Sequence, residues 1–253
     1  MSIMEQFNSK YGKIYFHDTS WNIKSLKSKS LEIESIESHI EDSVNLISEF
    51  CLHKAKESYV LISSRIAASQ NDLKKIFFLS GFITVEHTLD VSSYGLDLKR
   101  IENILNKYPV NIDNYTKNYK TEIENISKVE FKFGRFHEDP FIEPFIASER
   151  SRLWIGDLIN QKVTIKVLKK NNIVVGFIAY KIKNKRANLI LGGIIEKYRH
   201  LAYGFWATIL FNLKDLNEIH TMISSSNIDV LNLYSHFGFR FRNAQFGFHK
   251  YLI

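Results

Sequence analysis

The chain has little of what staples or breaks a small protein: one cysteine, three prolines and eleven glycines in 253 residues. A lone cysteine, Cys51, excludes an intrachain disulfide framework and any multi-cysteine metal or iron–sulfur site. So few prolines and glycines exclude collagen-like and linker-rich architectures. No apolar run approaches the ~18 residues needed to cross a membrane; the most apolar windows, 173–182 and 187–195, are far shorter. The opening Met1-Ser2-Ile3-Met4-Glu5-Gln6-Phe7 has neither the basic cluster nor the apolar stretch of a secretion signal. The expectation is a cytoplasmic protein without membrane insertion.

What is present is globular. The chain is 45% hydrophobic and 24% charged, which suits a folded core, and at about 150 residues per domain its length allows one large domain or two small ones. The net charge of +7 favours anionic partners: nucleic acid, acidic lipid or phosphorylated small molecules. Its lysine groups, at 24–29 and 181–185, read first as solvated faces.

Hydrophobic periodicity organises the chain. Strands are expected at 13–17, 31–36, 59–63 and 82–91. Helices are expected at 37–58 and at 71–79, the latter with Asn71 as N-cap. Residues 109–126 turn polar and make the best boundary. Beyond it come a helix at 141–159, paired strands at 162–168 and 173–182 around the polar turn 169–172, and a strand at 187–195. A helix at 205–216, a strand at 219–224, a helix at 228–237 and an aromatic-rich strand at 239–251 follow. The order indicates an α/β (α+β) layer architecture with a mixed sheet flanked by helices. One internal echo stands out: Leu61-Ile62-Ser63-Ser64 leads to Gly81-Phe82, and Met222-Ile223-Ser224-Ser225 leads to Gly238-Phe239. In each, the glycine suits a helix C-terminus.

Two stretches carry chemistry. Ile194-Ile195-Glu196-Lys197-Tyr198-Arg199-His200-Leu201-Ala202-Tyr203-Gly204 leaves a strand and opens a helix. Small residues there let backbone N–H groups approach a phosphate, the helix start adds partial positive charge, and Arg199 and Lys197 add full charge. An ordinary strand-to-helix turn is the alternative. The next strand runs into Asn227-Ile228-Asp229-Val230-Leu231-Asn232-Leu233-Tyr234-Ser235-His236-Phe237-Gly238-Phe239. Together, Arg199-x-x-Ala202-x-Gly204 and Asn227…Tyr234…Gly238-Phe239 resemble the acyl-CoA-binding and catalytic motifs of the GCN5-related N-acetyltransferase (GNAT) family. The chain departs from that pattern at Ala202, where glycine is usual.

The resemblance implies a GNAT fold over 129–253, a connector at 116–128 and a partial GNAT-like half at 1–115. It also implies that acyl-CoA is the acyl donor. Its diphosphate would sit on Arg199, His200, Leu201, Ala202, Tyr203 and Gly204, and its pantetheine along Leu191, Gly192, Gly193 and Ile194. Asn227 would hold pantetheine near Tyr234. The amine would attack the thioester directly, and Tyr234 would protonate the departing thiolate as general acid. A core tyrosine is the alternative for that residue.

A third stretch, Phe133-Gly134-Arg135-Phe136-His137-Glu138-Asp139-Pro140, is similar to a segment of GNAT enzymes of the dTDP-fucosamine acetyltransferase type. That resemblance implies transfer of acetyl, or of a 3-hydroxyacyl group such as 3-hydroxybutanoyl, to the amine of a dTDP-linked 3- or 4-amino-dideoxy sugar, as in surface polysaccharide biosynthesis. Arg135 suits a diphosphate or a carboxylate such as Glu138 or Asp139. His137 suits either proton acceptance, in competition with water, or capping of the next helix. Trp154 suits stacking on thymine or sugar, or core packing. No metal is expected, because adjacent His137, Glu138 and Asp139 do not converge on one ion. The alternatives are a GNAT enzyme acting on a peptide or polyamine amine and a basic nucleic-acid-binding protein, the enzyme reading expecting no nucleic-acid partner. The last strand could pair across a homodimer.

Overall fold

The computed structural model describes residues 3–252. The chain begins with the antiparallel strands β1 (Glu5–Ser9) and β2 (Gly12–Asp18), then a single turn α1 (Ile23–Leu26). Next come β3 (Lys29–Glu37), α2 (Ile40–Lys56), β4 (Tyr59–Ala67), α3 (Asn71–Leu79) and β5 (Ile83–Ser93). The middle holds α4 (Leu98–Lys107), β6 (Asn111–Asn114), α5 (Lys120–Glu130) and α6 (Pro144–Asn160). The last part holds β7 (Thr164–Lys170), β8 (Ile173–Lys183), β9 (Arg186–Ile194), α7 (Ala202–Asn212), β10 (Glu218–Ser224), α8 (Ile228–His236) and β11 (Arg240–Tyr251). This is a mixed α/β fold.

Two compact units share the chain. The first takes residues up to Thr88, Gly134–Ile146 and the stretch from Asn243; the second takes Leu89–Phe133 and Ala147–Arg242. The units therefore do not follow the expected division at 115 and 129. Residues 116–128 are not a bare connector: most of them form α5, whose Ile123 and Ile126 are buried in the second unit's core. The chain passes between units four times: inside β5, after α5, inside α6 and inside β11.

The echo noticed in the sequence extends over seven elements. Apart from the single turn α1 between β2 and β3, β1-β2-β3-α2-β4-α3-β5 and β7-β8-β9-α7-β10-α8-β11 repeat one order. In each run the first three strands are antiparallel neighbours, and the third and fourth are parallel across a helix. The helix ends match in detail. Gly81 and Gly238 take φ +78 and +77. Phe82 N–H donates to the Phe77 carbonyl, and Phe239 N–H to that of Tyr234. A Cβ would strain that left-handed turn, so glycine ends both helices.

In the first unit, strands run β1-β2-β3-β4-β11. One sheet face packs Phe16, Leu31, Ile33, Ile62 and Phe248 with Leu46, Phe50 and Phe77 of α2 and α3. The opposite face alternates into polar side chains, Glu32, Ser63, Arg65 and His249, as a period of two requires.

The second unit orders β10-β9-β8-β7-β6. β8 is buried on both faces from Val174 to Tyr180: α4, α7 and α8 share one cluster with it, and α5 and α6 the other. Such a strand reads as a continuous apolar run. Its flanking hairpins turn on Asn171-Asn172 and Asn184-Lys185, all four at positive φ. Two-residue turns of that hand match strand twist and suit asparagine. Gln70, not Asn71, occupies the α3 N-cap. α7 starts three residues earlier than expected, because a 3₁₀ turn at Glu196–Leu201 runs straight into it. Among the described residues no helix is long and apolar enough to cross a membrane.

Candidate active site

Strand β9 builds the site. Its pairing with β8 runs Gly176↔Ile194 to Ala179↔Leu191, then jumps to Tyr180↔Leu189, so Ile190 is an extra, bulged residue. A bulge bends a strand and sharpens its twist. On its other side β9 pairs with β10 only at Arg186, Ala187 and Asn188. Beyond Asn188 the two parallel strands part, and the β9 edge from Leu189 to Ile194 offers main-chain N–H and C=O groups to a ligand. Residues 190–193 are partly exposed. Leu191 packs toward the α5–α6 cluster and Ile194 into the α7–α8 cluster, so what these two can offer a ligand is backbone. Gly193 carries the ring of Phe131, which a Cβ would meet at 2.7 Å, and Gly192 lies tight against Ile178.

The stretch expected as a phosphate loop is already coiled. Tyr198 N–H donates to the Ile195 carbonyl and Ala202 N–H to that of Arg199. A 3₁₀ turn uses its own amides in i→i+3 bonds, so it leaves fewer free donors than an open loop. Full charge then matters more. The Arg199 guanidinium lies 3.6 Å from Glu130 and 4.0 Å from Asp229. Leu201 and Ala202 pack on the core cluster, His200 lies beside the Tyr198 ring, and Tyr203 meets His236 edge-on at 4.9 Å. Gly204 is buried. A Cβ there would drive into the carbonyl oxygen of Tyr108 and come within 3.0 Å of Val110 Cγ1. Its missing side chain thus serves the approach of the chain that follows α4, where the sequence suggested room for a phosphate.

Asn227 caps α8: its side-chain oxygen accepts from Val230 N–H at 3.4 Å. Tyr234, on the same helix, is 4% exposed and packed with Trp206, Phe237 and Phe239. Burial pushes its phenol up to about 12, so it stays protonated at neutral pH.

The third stretch folds into the first unit. Arg135, expected to meet a diphosphate or Glu138 or Asp139, makes a bidentate pair with Glu32 at 2.7 and 3.1 Å. Burial raises the Glu32 carboxyl, but Arg135 outweighs it and leaves the group below its usual range. Arg65 pairs with buried Glu86 at 2.8 Å. Glu138 instead accepts from Gly134 N–H. Asp139 accepts from Phe141 N–H, from the Tyr251 hydroxyl at 2.6 Å, and pairs with His249 Nδ1 at 2.5 Å. His137 sits in the turn closed by its own N–H on the Gly134 carbonyl, seven residues ahead of the start of α6. Trp154 belongs to the second unit, partly buried on the α5–α6 cluster, with the Arg150 guanidinium 4.7 Å over its ring.

Sequence reasoning missed Glu130, Phe131 and Tyr108, which touch the site from elements 60 to 100 residues upstream; no local signal marks them. Helix α4, which leads to Tyr108, could have been read. Asp97 caps it, and Ile101, Ile104 and Leu105 follow at helical spacing.

Comparison with known proteins decides the architecture. A functionally unknown conserved protein from Staphylococcus epidermidis superposes with TM-score 0.68 at 13% identity, covering 100% of this chain and 96% of that one. A GCN5-related N-acetyltransferase from Sphaerobacter thermophilus gives 0.60 at 11% identity, covering 94% and 76%. A tandem GNAT protein from the clavulanic acid biosynthesis pathway gives 0.59 at 10%, covering 97% and 81%. The fold is the GNAT fold. No family model and no curated protein matches the sequence, so the likeness to GNAT proteins is one of architecture. The repeated seven-element run means that this chain carries one element order twice, with β9 and β10 in its second copy.

Proposed function

We propose that the protein is an acyl-CoA-dependent N-acyltransferase, and that the second unit holds the acyl donor. The observation that carries this reading is the bulge at Ile190 with the parting of β9 from β10 beyond Asn188. An extended, amide-bearing chain such as pantetheine can add there as a strand would, along Leu191, Gly192, Gly193 and Ile194. The diphosphate end would meet Arg199, with Lys197 and His200 nearby and the α7 start behind. The Asn227 amide nitrogen is the part of the cap left to reach pantetheine.

In this reading the acceptor amine attacks the thioester carbonyl, the C–S bond breaks, and the thiolate takes a proton. Tyr234 is our candidate donor: burial keeps its phenol protonated at neutral pH, and it would pass that proton to the sulfur as the C–S bond breaks. The amine's proton goes to water. For the acceptor we propose the amine of a dTDP-linked 3- or 4-amino-dideoxy sugar, which rests on the resemblance of residues 135–140. In that reading Arg135 shapes the segment through Glu32 and makes no diphosphate contact of its own. Trp154 would offer the acceptor the ring face away from Arg150.

The test is mass spectrometry of dTDP-amino sugars incubated with the protein and acyl-CoAs from acetyl to 3-hydroxybutanoyl, with spermidine and a lysine peptide in parallel. A sugar nucleotide heavier by one acyl group is expected. Acylation of the polyamine or peptide alone would overturn the sugar assignment and keep the reaction class. No product from any pairing, with no CoA binding, would overturn both.

A further inference from the structure

Glu130 ends α5 with its side chain 9% exposed. Its Oε2 is buried and accepts no hydrogen bond. The cation nearest that oxygen is Arg199, at 3.6 Å, which is ion-pair distance but too long for a hydrogen bond. Arg199 itself is 47% exposed, and its second carboxylate, Asp229, is 87% exposed at 4.0 Å. The geometry is asymmetric. The carboxylate is buried, the guanidinium is half exposed, and no hydrogen bond joins that oxygen to it. Glu130 also precedes Phe131, whose ring rests on Gly193 in the parted edge of β9, so this fixed charge stands where the donor's anionic end would arrive.

We infer that Glu130 is the exchangeable counter-ion of Arg199: it holds the guanidinium in the ligand-free site, yields it to the diphosphate of acyl-CoA, and so sets donor affinity. This rests on the reading of the second unit as the acyl-CoA site. A buried carboxylate opposes an incoming dianion twice, by occupying Arg199 and by direct repulsion across a low-dielectric edge. Removing that one charge without changing its shape therefore tightens binding, which no merely structural residue would do on substitution.

The experiment is calorimetric titration of CoA into the full chain, wild type against Glu130→Gln and Asp229→Asn, at low salt and again at about 0.15 M ionic strength. Glu130→Gln is expected to bind roughly tenfold more tightly at low salt, with a smaller gain at the higher salt. Asp229→Asn, whose charge is solvated, is expected within about twofold of wild type. CoA binding by Glu130→Gln but not by wild type would support the inference equally. Unchanged or weaker binding by Glu130→Gln, with wild type binding, would overturn it and leave the site's assignment standing. No binding by either protein would overturn both. If the glutamine variant does not fold, Glu130→Ala takes its place, and failure of both to fold would show that Glu130 sets the fold and would overturn the inference.

Discussion

Substituting Gly204 with alanine separates two reasons for a glycine in a strand-to-helix turn. If the residue is small so that a phosphate can approach, alanine should weaken CoA binding and leave the fold alone. The geometry says otherwise. The new Cβ overlaps the Tyr108 carbonyl oxygen and meets Val110 Cγ1 at 3.0 Å and the Tyr108 carbonyl carbon at 3.2 Å. Two of these three atoms are backbone and cannot rotate away, so α7 or the chain after α4 must shift by roughly 1 Å, against a van der Waals optimum of about 3.5–4.0 Å between carbons. Overpacking of this kind costs about 1–3 kcal/mol. Alanine returns about 0.5–1 kcal/mol because glycine is a poor helix residue. The two terms partly cancel, and the backbone collision puts the overlap at the upper end, leaving about 2 kcal/mol of destabilisation. For a chain of this size that lowers Tm by roughly 4–8 °C. Thermal unfolding by circular dichroism reads it directly, with CoA affinity measured well below the transition. A Gly204→Ala protein as stable as wild type or more so would refute the packing argument, and lost CoA affinity in that stable protein would return the glycine to the phosphate.

Three further outcomes follow from the same contacts. Tyr234→Phe should lower kcat by about 10²-fold or more while leaving CoA affinity and Tm near wild type; full turnover would remove the general acid. Arg135→Ala leaves Glu32 buried without its partner and should cost about 3 kcal/mol by chemical denaturation, whereas the double variant with Glu32→Ala should cost less, and equal costs would refute the pairing. The buried Asp139–His249 pair should make the first unit acid-sensitive. For His249, burial and nearby Arg135 depress the group despite Asp139. For Asp139, burial pushes up, but hydrogen bonds from His249, Tyr251 and Phe141 N–H leave it depressed overall. Both depressed groups bind protons more readily when unfolded, so stability should fall as pH drops below the ordinary histidine value of about 6.5, and again below the ordinary carboxylate value of about 3.9. Unfolding midpoints measured from pH 7.5 down to 4 should decline for wild type and less for His249→Gln; equal slopes would refute it.

What the sequence showed is what depends on near neighbours. Asn171-Asn172 turns a hairpin because asparagine tolerates positive φ, and the apolar run of β8 announces burial on both faces; both are local facts. The paired Gly-Phe helix ends were local too, and they led to the repeat. What stayed hidden is set by distant partners. The bulge at Ile190 is a mismatch of register between β8 and β9, and no residue in Leu189-Ile190-Leu191 declares it. Gly204 looked like a phosphate-loop glycine because its real neighbour, Tyr108, is almost a hundred residues away. Arg135 looked free for a ligand because Glu32 lies a hundred residues earlier. The strand β6, Asn111-Ile112-Asp113-Asn114 at a sheet edge, has a single apolar residue and so no alternation to mark it. Leu201 is no capping residue, so the sequence offered no sign that α7 begins at Ala202.

On the proposed reading, the repeat also explains why one copy would suit an acyl donor and the other would not. In the first unit β3 has its own extra residue, Glu34, between the pairs Tyr15↔Ser35 and Phe16↔Ile33, and its parallel pairing with β4 ends at Ile33↔Ser64. The backbone device of the second unit is therefore present in the first. The charges are reversed. Where β9 has Ile190 at its bulge and Leu191-Gly192-Gly193-Ile194 past it, β3 has Glu34 at its bulge and Ser35-Ile36-Glu37 past it. Where α7 is entered past Lys197, Arg199 and His200, α2 opens with Glu41 and Asp42 in its first turn. Carboxylates at a helix start stabilise the helix, but they repel the diphosphate that the same start could otherwise bind. The polar face of that sheet is closed by Arg135 on Glu32 and by Asp139 on His249 and Tyr251. A strand fork is thus a property of topology and survives in both copies, whereas the place proposed for an anionic donor is a property of side chains and is expected in one.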